Sequence, residues 1–290
     1  MYPDANVQVN VRDFITNPSR VERVLTALTK DKTIADYAFG QGDANNGAVI
    51  YDEVLGHPAD QDRDVEIIAP GAEFPIVGTT DEMQKMAKVD KYGGAAELTF
   101  EAVRRNDTDT MQKRLVIVSN LIIKRVNSVA VNALTRNKNI NELIVGGWGG
   151  TTTDPIADLF ASKGLIDDNE LGYEADLFLI NPLDAQQYLL GRKDIRDQLP
   201  KESATDNPVL SGDLGNLVGA EWIKSSTIPR GSIYALQRGI SGSIRDEEGG
   251  IKTHTYDEDR RQVKVIQGWR SIVPIITDPK SITRITGFGA

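Results

Sequence analysis

The sequence predicts an α+β fold, and three observations predict it. A strand pattern over residues 95–103 gives way abruptly to a helical period held over residues 107–133. Six further strand-like runs crowd the stretch from residue 217 to the C-terminus, with only short helical stretches before them. Strands and helices are therefore grouped along the chain, which is the α+β arrangement.

The first 30 residues alternate in places, at Val7, Val9 and Val11, and turn amphipathic from Pro18. Asn17 is placed as a helix cap with Pro18 in the first turn, and Val21, Val24, Leu25 and Leu28 fall on one helical face. Residues 40–47 are rich in Gly, Asn and Asp and read as a turn. Together these residues read as an arm rather than an independent domain. Residues 49–55 predict a strand, 56–64 are polar, 65–68 and 74–77 are extended, and 78–81 turn back. Residues 43–91 hold eleven acids and four bases, a net charge of −7. A long acidic hairpin of this kind buries little of its own surface. Phe74 and Ile76 in its middle point to a partner on which it lies.

In residues 95–103, Leu98, Phe100 and Ala102 alternate with Glu97, Thr99 and Glu101. From Asp107, a good cap, the apolar positions Met111, Leu115, Val118, Ile122, Val126, Val129 and Ala133 recur at helical spacing. That is one continuous helix of roughly 45 Å at 1.5 Å per residue. A glycine-rich loop follows at 146–150, then a short helix over 155–163 capped by Asp154 and a buried strand over 177–180. Asn181-Pro182 opens a helix to about residue 190, and residues 192–212 are a polar loop with Pro200 and Pro208. The closing strands are placed at 217–223, 232–237, 239–244, 252–256, 263–276 and 281–286.

Composition narrows the function. The 290 residues include no cysteine, which removes disulfide frameworks, thiolate zinc sites and cysteine nucleophiles together. With 33 basic and 42 acidic residues the net charge is −9, so broad condensation onto duplex DNA is not expected. The first 14 residues lack the apolar core of a signal peptide, and the longest apolar stretch, 115–123, is far short of the ~20 residues of a membrane span. A soluble chain with no membrane partner is expected.

No catalytic, cofactor-binding or metal-binding constellation emerges. The run Gly146 to Gly150 lacks the spacing of a phosphate loop and follows a helix. Ser241 resembles a nucleophile elbow loosely, because a serine stands at 243 where glycine is required, and it reads as a turn residue. His254 beside Asp257 and Glu258 reads as an exposed strand histidine, and His57 as a turn residue. The acidic turns at 246–248 and 257–259 lack calcium-loop spacing.

Four stretches in order carry a family resemblance. They are Glu66-Ile-Ile-Ala-Pro-Gly-Ala-Glu-Phe-Pro-Ile-Val77, Ala87-Lys-Val-Asp-Lys-Tyr-Gly-Gly-Ala-Ala-Glu-Leu-Thr-Phe-Glu101, Leu217-Val-Gly-Ala-Glu-Trp-Ile-Lys-Ser-Ser-Thr-Ile-Pro-Arg-Gly231 and Ile272-Val-Pro-Ile-Ile-Thr-Asp-Pro-Lys-Ser-Ile-Thr-Arg-Ile285. With the sequence of arm, acidic hairpin, strand and long helix, they resemble the major capsid proteins of tailed bacteriophages, which share the Hong Kong 97 fold. The resemblance runs from about residue 17 to the C-terminus. It implies an arm (1–42), an extended hairpin loop (43–92), a peripheral domain with a spine helix (93–150, completed by 245–290) and an axial domain (151–244).

The resemblance also implies a non-enzymatic subunit that forms pentamers and hexamers of an icosahedral head around double-stranded DNA, without reading its sequence and without cofactors. The stretch upstream of the arm is too short for a scaffolding segment, so a separate scaffolding protein is expected. A portal protein is expected as well, and a decoration protein is a further candidate partner. The location is the virion, after assembly in the host cytoplasm. No lysine among Lys85, Lys88 and Lys91 matches a cross-linking position, so assembly is expected to be non-covalent.

Residues 101–138 hold eight bases and three acids, a net charge of +5. The acidic hairpin of one subunit is therefore expected across the basic helix of its neighbour, with Phe74, Ile76, Lys113, Lys124 and Arg125 as candidate contacts. Two alternatives compete: an encapsulin-type nanocompartment shell with the same fold, and a small α/β hydrolase or metal-dependent enzyme using His254, Asp257 and Glu258.

Overall fold

A computed structural model describes residues 10–30, 32–55, 67–74, 82–150, 153–168, 172–193, 195, 214 and 217–289. Three short helices open the chain, α1 (Val11–Thr16), α2 (Pro18–Thr29) and α3 (Ile34–Ala38). Asn17 takes the cap position of α2 through its backbone carbonyl, which accepts from Arg20 N at 3.0 Å, but its side chain makes no cap bond. A strand β1 (Gly40–Asp43) follows, then the hairpin strands β2 (Ala48–Val54) and β3 (Glu82–Lys88).

Next come β4 (Asp90–Thr99), a one-turn helix α4 (Phe100–Arg104) and the long helix α5 (Thr108–Arg136). Asp107 caps α5, its Oδ1 accepting from Thr110 N at 3.0 Å and its Oδ2 from the Thr110 hydroxyl at 2.7 Å. The helix is long and apolar enough by length and composition to cross a membrane. Here it is the central core helix: Met111, Leu115, Val118, Ile122 and Val126 are buried against the arm and the sheets. Beyond Val126 the buried apolar positions are Ala130, Val131 and Leu134, while Val129 and Ala133 are half-buried. At this end α5 meets Tyr234, whose hydroxyl lies 2.9 Å from the Thr135 hydroxyl.

The remaining elements are β5 (Asn141–Ile144), α6 (Pro155–Asp167), β6 (Leu177–Ile180), α7 (Pro182–Asp184) continuing as a π-helical turn to Leu190, β7 (Glu221–Lys224), β8 (Ser232–Leu236), β9 (Ser243–Asp246), β10 (Lys252–Glu258), β11 (Val263–Ile275) and β12 (Ile282–Thr286). The first sheet is organised on β11. It pairs antiparallel with β4 along one edge, and with β10 and then β9 along the other, while β1 joins β9 in parallel. Gly268 sits where α2 and α5 press on this sheet: a Cβ there would lie 3.0 Å from Leu25 Cδ1 and 3.4 Å from Val118 Cγ1.

The second sheet has the order β5-β12-β8-β6-β7. All of β6 and β8 is buried, as expected for strands covered on both faces. Leu177, Leu179, Tyr234 and Leu236 face the core that contains α5. Phe178, Ile180, Ile233 and Ala235 face a second core with Trp148, Leu159, Ile166 and Phe288. Aromatic stacking tightens that side, Phe178 on Trp222 at 4.6 Å and Trp148 on Phe288 at 4.8 Å. This sheet draws β5 and β12 from the segments assigned above to the peripheral domain, and β6, β7 and β8 from residues 151–244.

Several local expectations are corrected. Residues 40–43 are not a turn but the parallel partner of β9, a pairing that Gly-Gln-Gly-Asp cannot announce because it has no apolar alternation. The strand over 95–103 stops at Thr99, whose hydroxyl accepts from Ala102 N and starts α4. Residues 217–219 form a 3-10 turn with Val218 at φ 63, so the strand placed at 217–223 begins only at Glu221. The strand placed at 239–244 is displaced to 243–246, because Gly239 adopts φ 75 within a turn closed by Ser241. Val7, Val9, His57 and nearly all of the 192–212 loop lie outside the described residues.

Candidate assembly surfaces

The hairpin is fastened to the body at its root. Val49, Tyr51 and Ala87 on one face of β2–β3 pack against Ala44, Val89, Val273 and Ile275. Glu53, on the same face, is fully buried and ion-pairs with Lys85. Its carboxylate also accepts from Asn137 Nδ2 at 2.6 Å and Asn139 Nδ2 at 3.0 Å, just beyond the C-terminal end of α5. A buried carboxylate survives only when its lone pairs are satisfied, and these three donors satisfy them. The opposite face is bare: Ile50 and Met86, direct cross-strand partners, are 66% and 74% exposed. Further along, Phe74 is 80% exposed. Ile76 lies outside the described residues.

The outer face of α5 has a pattern that the sequence reading missed. Val116, Ile117 and Leu121 are exposed there and form an apolar strip. Lys113 and Arg114 lie one turn before the strip and Lys124 and Arg125 one turn after it, all four exposed. The Arg125 guanidinium rests 5.0 Å from the centre of the Tyr92 ring on β4, which holds it beside the strip. The sequence signal was available: these apolar residues fall off the buried stripe of α5 by roughly 100–140° at 100° per residue.

The arm is locked by two charged clusters. Arg270, nearly buried, donates to both oxygens of Asp36 on α3 at 2.8 and 2.7 Å and to both oxygens of Asp246 on β9 at 2.9 and 2.7 Å. Burial opposes its charge, but the bonds to Asp246 and Asp36 outweigh that and raise its pKa. The Tyr37 hydroxyl donates to Glu221, and Arg238 donates to the same carboxylate at 2.6 Å while stacking over the Tyr37 ring at 4.2 Å. The bond from Tyr37, joined by that from Arg238, holds Glu221 below the usual carboxylate range.

The groups considered for catalysis are engaged structurally. His254 stacks on Tyr256 with ring centres 5.9 Å apart. Asp257 pairs with Lys264 at 2.9 Å, and Glu258 lies 3.5 Å from Arg261, which holds Glu97 at 2.6 Å. Ser241 is fully buried, its hydroxyl donating to the Gln237 carbonyl at 2.8 Å and accepting from the Ser281 hydroxyl at 2.7 Å. Glu248 accepts from Trp269 Nε1 at 2.5 Å. Among the described residues no group of three or more His, Asp and Glu side chains is placed to hold a metal.

An α+β chain with this strand order, an outreaching hairpin and a long central helix has the architecture of capsid shell subunits. A virus-like particle from Pyrococcus furiosus superposes with a TM-score of 0.64 at 10% identity, covering 92% of this chain and 98% of that one. The capsid of cyanophage P-SCSP1u gives 0.60 at 11%, covering 86% of each chain. The SrpI encapsulin of Synechococcus elongatus gives 0.59 at 12%, covering 86% of this chain and 85% of that one. These likenesses establish the fold as the Hong Kong 97 type. Residues 81–285 match the phage capsid protein family, and the chain belongs to that family. No curated protein matches it. It is a capsid shell protein, a structural component of the virion that assembles in many copies.

Proposed function

We propose that this chain is the repeated subunit of an icosahedral phage head, assembled as pentamers and hexamers around double-stranded DNA. The observation that carries the reading is the complementarity of two surfaces. An acidic hairpin with exposed Ile50, Met86 and Phe74 matches an apolar strip on α5 rimmed by Lys113, Arg114, Lys124 and Arg125. In this reading the hairpin of one copy lies across α5 of the next. The charges steer approach and set register, and the apolar residues supply affinity repeated over every copy. The net charge of −9 suits a wall past which DNA slides without adhering.

The peripheral, axial, arm and hairpin roles of the segments, a separate scaffolding protein, a portal protein and a decoration protein belong to the same proposal. Negative-stain electron microscopy of the expressed chain, with and without a candidate scaffold, tests it. Closed shells or rings of five or six are expected. Small compact particles at every salt and protein concentration would overturn it.

A nanocompartment shell is the second reading, favoured by the encapsulin superposition above. Shells that recover nucleic acid from a lysate support the phage reading, and shells filled with a single co-purifying enzyme support the other.

A further inference from the structure

We propose that the outer face of α6 is a second contact between copies of this chain, separate from the hairpin contact. The inference rests on the shell reading above.

Helix α6 is arranged inside out. Its inner face buries Leu159, Ser162 and Ile166 against the second sheet. Three of its polar side chains are used by its own chain. Asp158 accepts from Trp148 Nε1 at 2.7 Å, the Ser162 hydroxyl donates to the Leu159 carbonyl at 2.6 Å, and the Lys163 ammonium reaches the Val218 carbonyl at 3.5 Å. Ala157, Phe160, Ala161 and Gly164 remain outside, all exposed and spaced to share one helical face, with exposed Leu165 beside them and exposed Asp167 at its C-terminal end. Phe160 is 57% exposed. Beside it the surface is a low shelf, since a Cβ built on Gly164 meets no atom within 4 Å. A surface helix ordinarily turns its polar residues outward, and a helix that is apolar on both faces is ordinarily buried. This one is buried on one face only.

The occupant that fits is a second copy of this chain. A capsid shell protein meets its own copies at every position of the shell, and the charges at the ends of this face, Asp154, Asp167 and Asp168, are acidic, so they repel the acidic hairpin or a phosphate backbone. Size agrees with a contact made only on assembly. Thirteen residues span roughly 20 Å, and one such face buries a few hundred Å², below the ~800 Å² per partner of a stable pair. Free subunits should therefore not pair through α6, while a closed ring repeats the contact and makes it count. The α6 core and the α5 core lie on opposite faces of the second sheet, so this contact and the α5 contact are structurally independent.

The absence of cysteine makes the test clean. The thiol of Ala161→Cys should react with a maleimide rapidly on free subunits and about tenfold or more slowly in shells, as expected for a side chain buried in a contact. Phe160→Asp should melt like the wild type yet lower shell yield about tenfold or more, the effect of losing an aromatic anchor. Equal labelling of shells and free subunits would overturn the proposal, as would wild-type shell yield from Phe160→Asp. A wild-type chain that forms no shell under the same conditions overturns the shell reading, and this contact with it.

Discussion

The second sheet and the hairpin answer the same physical problem in opposite ways. Strands β6 and β8 have a packed core on each face, and every residue in them is buried within one chain. Strands β2 and β3 have one packed face at the root, with Ile50 and Met86 left in solvent on the other. The sheet is complete in the free subunit. The hairpin is held at one end by Glu53 and extends a surface that its own chain does not cover. On the assembly proposed above, stability of the subunit and assembly of the shell fall to different residues, and substitutions should separate the two.

The largest expected effect lies in the sheet. Phe178→Ala removes a fully buried ring stacked on Trp222 and should cost about 3–5 kcal/mol, read by urea unfolding of the free subunit. Ile50→Ser, on the bare face of the hairpin, should change subunit stability by no more than about 0.5 kcal/mol while lowering shell yield. Equal losses of stability from both would end the contrast.

Glu53→Ala comes next. It strands Lys85, Asn137 and Asn139 as donors and should cost about 1–3 kcal/mol, less than the full price of a buried charge because Lys85 is 30% exposed. Hydrogen exchange should accelerate in residues 48–54 more than in residues 177–180. Uniform acceleration would mean that the root is not an independent anchor.

Reversing Lys124 and Arg125 to Glu should leave unfolding of the free subunit nearly unchanged, because both are exposed. Shell yield should fall, and its salt dependence should weaken or invert. An unchanged yield with an unchanged salt profile would remove the hairpin from α5.

The smallest effect concerns pH. Glu221 has a lowered pKa in the folded chain, so its contribution is present above its unfolded value and is lost as pH falls through the folded one. The wild type should therefore lose more melting temperature than Glu221→Gln between about pH 7 and about pH 3. Identical acid profiles would show that the contact of Tyr37 and Arg238 with this carboxylate adds nothing.

Much of this architecture was legible in the sequence. Leu177–Ile180 reads as a buried strand because it is a short apolar run followed by Asn181-Pro182, and it forms as read. The start and most of the core-facing stripe of α5 follow from the Asp107 cap and a period that a single helix enforces. Of the candidate contacts, Phe74, Lys113, Lys124 and Arg125 are exposed in the free subunit. Val116, Ile117 and Leu121 escaped notice because apolar residues on a helix are first assigned to the core. Trp148 escaped for the reverse reason: it lies in a glycine run read as a loop, yet is buried against Phe288.

The sequence by itself determined most of the elements and the segregation of charge, because helical and strand periods and caps are settled between residues a few positions apart. Only the tertiary structure decided which faces those elements leave uncovered. Arg270 meets Asp36 across 234 residues, and Asn137 meets Glu53 across 84. Neither pair has a local signature, since each contact exists only after both segments have been placed by packing elsewhere. The inverted polarity of α6 has the same origin. Asp158 and Lys163 look like surface residues until Trp148 and Val218 arrive from other parts of the chain to bind them, leaving Phe160 outside.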